Sequence, residues 1–290
     1  MLVAWSYRLR NSLMESIDPR ARWIFSFAFL LSITMFWDAR FLALFFIIGM
    51  LWYLSGHVPL RETRRAWTFV SVTLFSMIVI NTILTGGGAG GIVPPGGHLV
   101  FPSGLTLPIS GWTIHPGLTF ERLWFALCQL LRIISISAVF IIIPFTMDPR
   151  VYGVSFRGLG FPDRFAYAME LAFRYVPTVA RDFNVTFDAQ RARGYEIERV
   201  DGGLVKQLLR IAPLIVPVTM NSILTGEDVI NAMDLRCFGQ HKRTWLTKLT
   251  YRRRDFFLLS FSGLILLGSI YLARALGYGE FWIPPFIAGL

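Results

Sequence analysis

The chain of 290 residues is 54% hydrophobic and 15% aromatic, carries only 16% charged residues, and has a formal net charge of +10. Soluble domains carry about 25% charged residues, so this composition argues against an ordinary soluble domain and for a lipid environment. The cation excess fits the concentration of Lys and Arg in cytoplasmic loops better than nucleic-acid binding, and two unpaired-looking cysteines with four scattered histidines offer neither a disulfide framework nor a metal-ligand spacing.

The N-terminal stretch through Arg22 is polar and basic and lacks the apolar core and small-residue cleavage site of a signal peptide. A spanning helix needs about 20 largely apolar residues, sometimes fewer. Trp23–Trp37, Phe41–Ser55, Trp67–Leu84 and Leu123–Phe145 are the first four candidates, and Phe256–Ala273 is the fifth. The fourth contains Arg132, and an intramembrane charge is a functional suspect by default. Pairing inside the bundle, with Asn81 or a carbonyl, weighs more for it than substrate contact.

Charge orients these spans. Arg8, Arg10, Arg20 and Arg22 precede the first, and Arg61, Arg64 and Arg65 separate the second from the third. Thr85–Phe120 holds no Lys or Arg, whereas Arg150 to Arg254 is densely basic. The positive-inside bias therefore predicts a cytoplasmic N-terminus and an external 85–120 loop. That loop is rich in Gly and Pro, has no Lys-Ser or Lys-Thr after its glycines, and reads as a connection, not a phosphate cradle.

Ile211–Gly226 is also apolar, broken by Pro213 and Pro217. If it crossed, Arg236, Lys242, Arg243, Lys248, Arg252, Arg253 and Arg254 would all lie outside, against the charge bias. It is expected not to span and to cover its apolar face with protein or the interface. The organisation predicted is a membrane domain at 1–145, a cytoplasmic domain of long kinked helices at 146–255, and a last span with an external tail at 256–290.

Within the cytoplasmic domain, Phe161-Pro162-Asp163 reads as a helix start, with Pro in the first turn and an acid at the positive end of the dipole. A long helical pattern runs to Arg193, with Pro177 expected to kink or divide it, and Gly194 supplies a left-handed stop. A second stretch starts near Leu204 and bends at the two prolines, and a third runs from about Glu227 to Arg236. Two helices thus end alike, each with an acid shortly before a terminal arginine. One such arginine needs nothing beyond the helix dipole; two, after apolar helices held outside the bilayer, suggest a protein partner with acidic pockets.

Several runs carry a resemblance: Asp18-Pro-Arg20, Asp148-Pro-Arg150, Leu159-Gly-Phe-Pro-Asp-Arg-Phe-Ala-Tyr-Ala168, Phe173-Arg-Tyr-Val-Pro-Thr178 and Ala189-Gln-Arg-Ala-Arg-Gly194. Together they resemble the T component of energy-coupling factor (ECF) transporters, the EcfT/CbiQ family, over most of the chain. The resemblance implies an all-α integral membrane protein of about five transmembrane helices plus cytoplasmic coupling helices. It implies a plasma-membrane subunit, without cofactor or catalytic residues of its own, that joins two ABC ATPase subunits to a membrane-embedded substrate-binding S component for uptake of a vitamin or metal ion. Family members dock each ATPase on an Ala-Arg-Gly-type motif. Here the first matches as Ala192-Arg193-Gly194, and the second departs as Leu235-Arg236-Cys237, keeping the arginine and losing the small neighbours. The apolar run then implies an S-component surface at Leu208, Leu209, Ile211, Leu214, Ile215 and Val218. Two other readings stay open: a stand-alone transporter, which would show repeated halves, and a membrane-bound lipid-modifying enzyme, which would need clustered catalytic groups.

Overall fold

The computed structural model describes residues 7, 10, 12–83, 108–109, 112–113, 120–195, 204–241, 249–279, 282 and 284, with the side chains of 81–83, 108–109, 112–113, 120–122 and 204–211 left aside. Nine helices are found among the described residues: α1 Pro19–Thr34, α2 Ala39–Ser55, α3 Leu60–Ile83, α4 Phe120–Ile141, α5 Ile143–Thr146, α6 Tyr152–Gly158, α7 Asp163–Ala192, α8 Leu204–Leu235 and α9 Arg253–Ala275. Outside helices and short 3-10 turns, the region expected to be irregular contains one two-residue antiparallel ladder, with Pro108 opposite Thr113 and Ile109 opposite Trp112. The chain forms two compact units, one of Tyr7–Asp148 with Thr250–Leu290, the other of Pro149–Leu249.

The first unit is built around α1, α2, α4 and α9. Asp18 starts α1 by accepting from the Arg20 N–H at 2.9 Å, with Pro19 in the first turn, where a missing N–H costs nothing. Asp38 caps α2 in the same way, through the Arg40 N–H at 2.9 Å. Phe25, Phe29, Phe36, Phe45, Leu42 and Val139 fill the core, with Leu258 of α9 against them. Small and hydroxyl residues sit inside as well: Ser26, Ser32 and Ser135 are fully buried. A Cβ added to Gly49 would stand 3.1 Å from the Ser135 carbonyl, so α2 and α4 approach almost backbone to backbone. Large apolar side chains point outward instead, among them Leu44, Ile47 and Leu51 of α2, Phe69 and Phe75 of α3, and Leu264 and Leu267 of α9. Small residues at helix contacts with greasy side chains outside are the pattern of helices packed in lipid.

Among the described residues, two segments are long and apolar enough to cross a bilayer, Leu123–Thr146 with 24 residues and Arg253–Ala275 with 23, while Ala39–Ser55 is apolar but shorter. The first of these is not one helix, because Pro144 divides α4 from α5. The predicted span Trp23–Trp37 begins a turn earlier, at Pro19, and ends before Trp37.

The second unit rests on α6, α7 and α8. Gly153 of α6 lets it lie against α7: a Cβ there would meet the Ala166 carbonyl at 2.5 Å. Asp163 opens α7 with Pro162 as the cap residue just outside. The helix then passes Pro177 without ending. The expected division of the next stretch is corrected too: α8 is continuous through Pro213 and Pro217 to Leu235. Each internal proline removes one backbone donor and leaves the carbonyl four residues earlier without its usual partner. For Pro217 that carbonyl belongs to Pro213, and the Gln190 side-chain amide of α7 donates to it at 3.4 Å. A neighbouring helix thus takes the place of the missing N–H, which is how a proline survives inside a helix.

Candidate functional site

The two arginine-bearing helix ends have the same backbone geometry. At the end of α7, the Tyr195 N–H donates to the Gln190 carbonyl and the Gly194 N–H to the Arg191 carbonyl, both at 3.0 Å. At the end of α8, the Phe238 N–H donates to the Met233 carbonyl at 3.0 Å and the Cys237 N–H to the Asp234 carbonyl at 2.9 Å. These paired bonds define a Schellman ending, which requires a left-handed residue just past the cap. Gly194 occupies it with φ +81° and Cys237 with φ +53°. Position for position, Arg193 corresponds to Arg236, Gly194 to Cys237 and Tyr195 to Phe238. The departure of the second motif from Ala-Arg-Gly therefore changes the side chains and keeps the turn.

All six residues of the two tips, Ala192, Arg193, Gly194, Leu235, Arg236 and Cys237, are exposed. Neither Arg193 nor Arg236 has a side-chain partner among the described residues, so both guanidinium forks face outward uncommitted. The helices carrying them run antiparallel. Tyr167 near the start of α7 meets the end of α8, its hydroxyl 3.4 Å from the Met233 sulfur and its ring 4.9 Å from that of Phe238. Asn221 donates to Asp182 at 3.0 Å midway, and Gln190 near the end of α7 reaches Pro213. At 1.5 Å per residue, the 167-to-190 stretch separates the two tips by about 35 Å. One small acidic pocket cannot take both.

Residues 10–245 match the CbiQ family, described as cobalt transport protein. The chain belongs to this family. The energy-coupling factor transporter transmembrane protein EcfT of Thermosediminibacter oceani is 25% identical over 272 residues, covering 90% of this chain and 93% of the relative. Its counterpart in Bacillus selenitireducens is 25% identical over 265 residues, covering 89% and 92%. That of Lactobacillus helveticus is 33% identical over 113 residues, covering 39% and 40%. The EcfT/CbiQ family consists of membrane transporter subunits, and this chain is one of its membrane proteins.

The remaining sequence-derived residues divide. Of the apolar surface expected on α8, Ile215 is 51% exposed, but Leu214 and Val218 are only 3% and 8% exposed. Those two are interior residues, which corrects their assignment to a partner-facing surface; the side chains of Leu208, Leu209 and Ile211 lie outside the described residues. The outward apolar face of α8 comprises Ile215, Val216, Met220, Ile223 and Leu224. Arg132 is buried, donates to the Phe36 carbonyl and lies with its guanidinium carbon 3.9 Å from the Trp37 ring centroid. A carbonyl and an aromatic face thus compensate this charge inside the bundle.

Two residues escaped the sequence reading. Asp255 is fully buried and accepts from the Asp18 N–H at 2.7 Å and the Arg252 N–H at 2.6 Å, tying the starts of α1 and α9 together. Arg20 completes this junction, pairing with Asp18 at 2.9 Å and stacking on Tyr251 at 3.9 Å. The sequence signal available was Asp at the third position of a helix start, a common acidic cap. The other residue is Gln190, inside a motif noted only for its arginine.

Proposed function

We propose that this chain is the T component of an ECF-type ABC importer, carrying the motion of two ATPase subunits to a membrane-embedded S component. The observation that carries this reading is the pair of exposed, uncommitted arginines on identical helix endings at opposite ends of one antiparallel pair. Two separated, equivalent anchors suit two ATPase subunits, each receiving one guanidinium in an acidic groove. ATP binding draws the subunits together, the tips follow, and α7 and α8 pass the displacement along their rigid length.

The S component lies on the outward apolar face of α8, around Ile215, Val216, Met220 and Ile223. It reorients to release a vitamin or metal ion inward. The chain crosses the plasma membrane five times, through α1, α2, α3, α4 with α5, and α9. Its N-terminus and residues 146–255 are cytoplasmic, as the distribution of Lys and Arg indicates. ATP hydrolysis belongs to the partners.

Co-purification tests the reading. The wild-type chain, expressed with its genomic-neighbour ATPases, should retain both, whereas Arg193→Glu/Arg236→Glu should retain neither while still partitioning into the membrane fraction. Undiminished retention by the double variant would remove the docking assignment.

A further inference from the structure

The first helical turn of α9 has a composition that coupling does not require. Arg252, Arg253 and Arg254 are consecutive and exposed, and none has an acidic partner among the described residues; Arg254 reaches only the Ser16 hydroxyl, at 3.3 Å. The acid that follows them in sequence does not neutralise them. Asp255 is buried, with one oxygen on the Asp18 N–H and the other on the Arg252 N–H. The neighbouring acids are committed too: Asp18 to Arg20, Glu15 to the backbone N–H of Arg10, and Glu62 to the Arg10 side chain. At this end of the unit the acids are buried or already paired, and the three arginines are left exposed.

Immediately beyond the arginines the surface becomes hydrocarbon. Phe256 and Phe257 are 60% and 76% exposed, and Tyr251 beside them has its ring 5.8 Å from that of Phe256 and tilted to it by 50°. A ligand held here must offer an anion to the guanidinium forks and, within one helical turn, an apolar body to the aromatic rings. An acidic protein surface or a free phosphate meets the first condition and not the second.

We propose that the start of α9 is a binding site for an anionic phospholipid, with the phosphodiester on Arg252–Arg254 and the acyl chain along Phe256 and Phe257. Arginine forks match phosphate oxygens bidentately, and juxtamembrane cations gain affinity from anionic leaflets. The site anchors the start of α9 to the inner leaflet. The proposal rests on α9 crossing the bilayer with its start inside.

The test uses the full chain in nanodiscs, with spin-labelled phosphatidylglycerol or phosphatidylcholine as the probe. The wild type is expected to hold the anionic label about tenfold more tightly than the zwitterionic one, a preference of the size several juxtamembrane arginines supply. Arg252→Gln/Arg253→Gln/Arg254→Gln should abolish the preference, and Phe256→Ser/Phe257→Ser should weaken retention of the label. Arg164→Gln/Arg174→Gln/Arg181→Gln, which removes the same charge from the other unit, should leave both intact. Equal retention of the two labels by wild type, equal loss in the control triple, or displacement of the label by soluble glycerophosphoglycerol at matched concentration would each overturn the site. Failure of the wild type to enter nanodiscs would instead fall on the reading of α9 as a span.

Discussion

The ends of α7 and α8 reach the same turn from different sequences. At the first, glycine enters the left-handed region without cost, and nothing beyond its own chain neighbours lies within 4 Å of where its Cβ would be. At the second, a cysteine is held there with φ +53°, where an L-residue is strained by about 1–2 kcal/mol. The compensation is visible in the packing: Met233 and Phe238, the two residues joined by the longer turn bond, both rest on Tyr167. The end of α7 has glycine to make its turn, and the end of α8 has a buttress. What the two ends share is the direction in which an arginine leaves a helix, and that is the property a docking partner can read.

The largest test of this equivalence separates the two anchors. Arg193→Glu and Arg236→Glu, made singly, should each weaken ATPase retention at least tenfold, since a charge reversal at an interface arginine costs about 2 kcal/mol or more. A loss at Arg193 alone would make the second tip a bystander and break the comparison.

Next in size is the buttress. Tyr167→Ala should accelerate amide exchange at Cys237 and Phe238 about fivefold, through loss of an aromatic contact worth roughly 1 kcal/mol. Exchange at Gly194 and Tyr195 should be unchanged. Equal acceleration at both ends would show Tyr167 supporting the whole unit instead of one tip.

Gln190 offers a test with its own rescue. Spin labels on exposed Cys237 and on Tyr195→Cys report the distance between tips, with buried Cys128 replaced by Ser. Gln190→Ala should broaden that distance distribution, because the Pro213 carbonyl loses a donor worth about 1 kcal/mol. Pro217→Ala on the same background restores the N–H within α8 and should narrow it again. A distribution indifferent to Gln190 would show that the two helices are registered by other contacts.

The smallest effects isolate the turn. Gly194→Ala should lower, and Cys237→Gly raise, thermal stability by about 1 kcal/mol each. Like signs would mean that space, and not φ, sets the difference.

Much of α7 could be read directly. Its start at Asp163 and its stop at Gly194 follow from local chemistry, since proline, an acid and a glycine each act within one turn. The continuity of α8 could not, because the donor that replaces the missing proline N–H comes from residue 190, on another helix. The face of α8 was equally hidden. Ile211–Val218 is almost uniformly apolar, so nothing in its pattern distinguishes interior Leu214 and Val218 from outward Ile215. Cys237 was unreadable as a left-handed cap because sequence preference names glycine there. Its role depends on Tyr167, far away in the chain. Arg132 was legible as a charge needing a partner, and the partner turned out to be Phe36 and Trp37 at the first hairpin.

The bond between Asp18 and Asp255 joins residues 237 positions apart. The opening turn of α1 is capped locally by Asp18, but the Asp18 N–H gains its own partner only when α9 packs against α1. Closing so long a loop is entropically costly, so this junction belongs to the late contacts of folding and not to its nucleus.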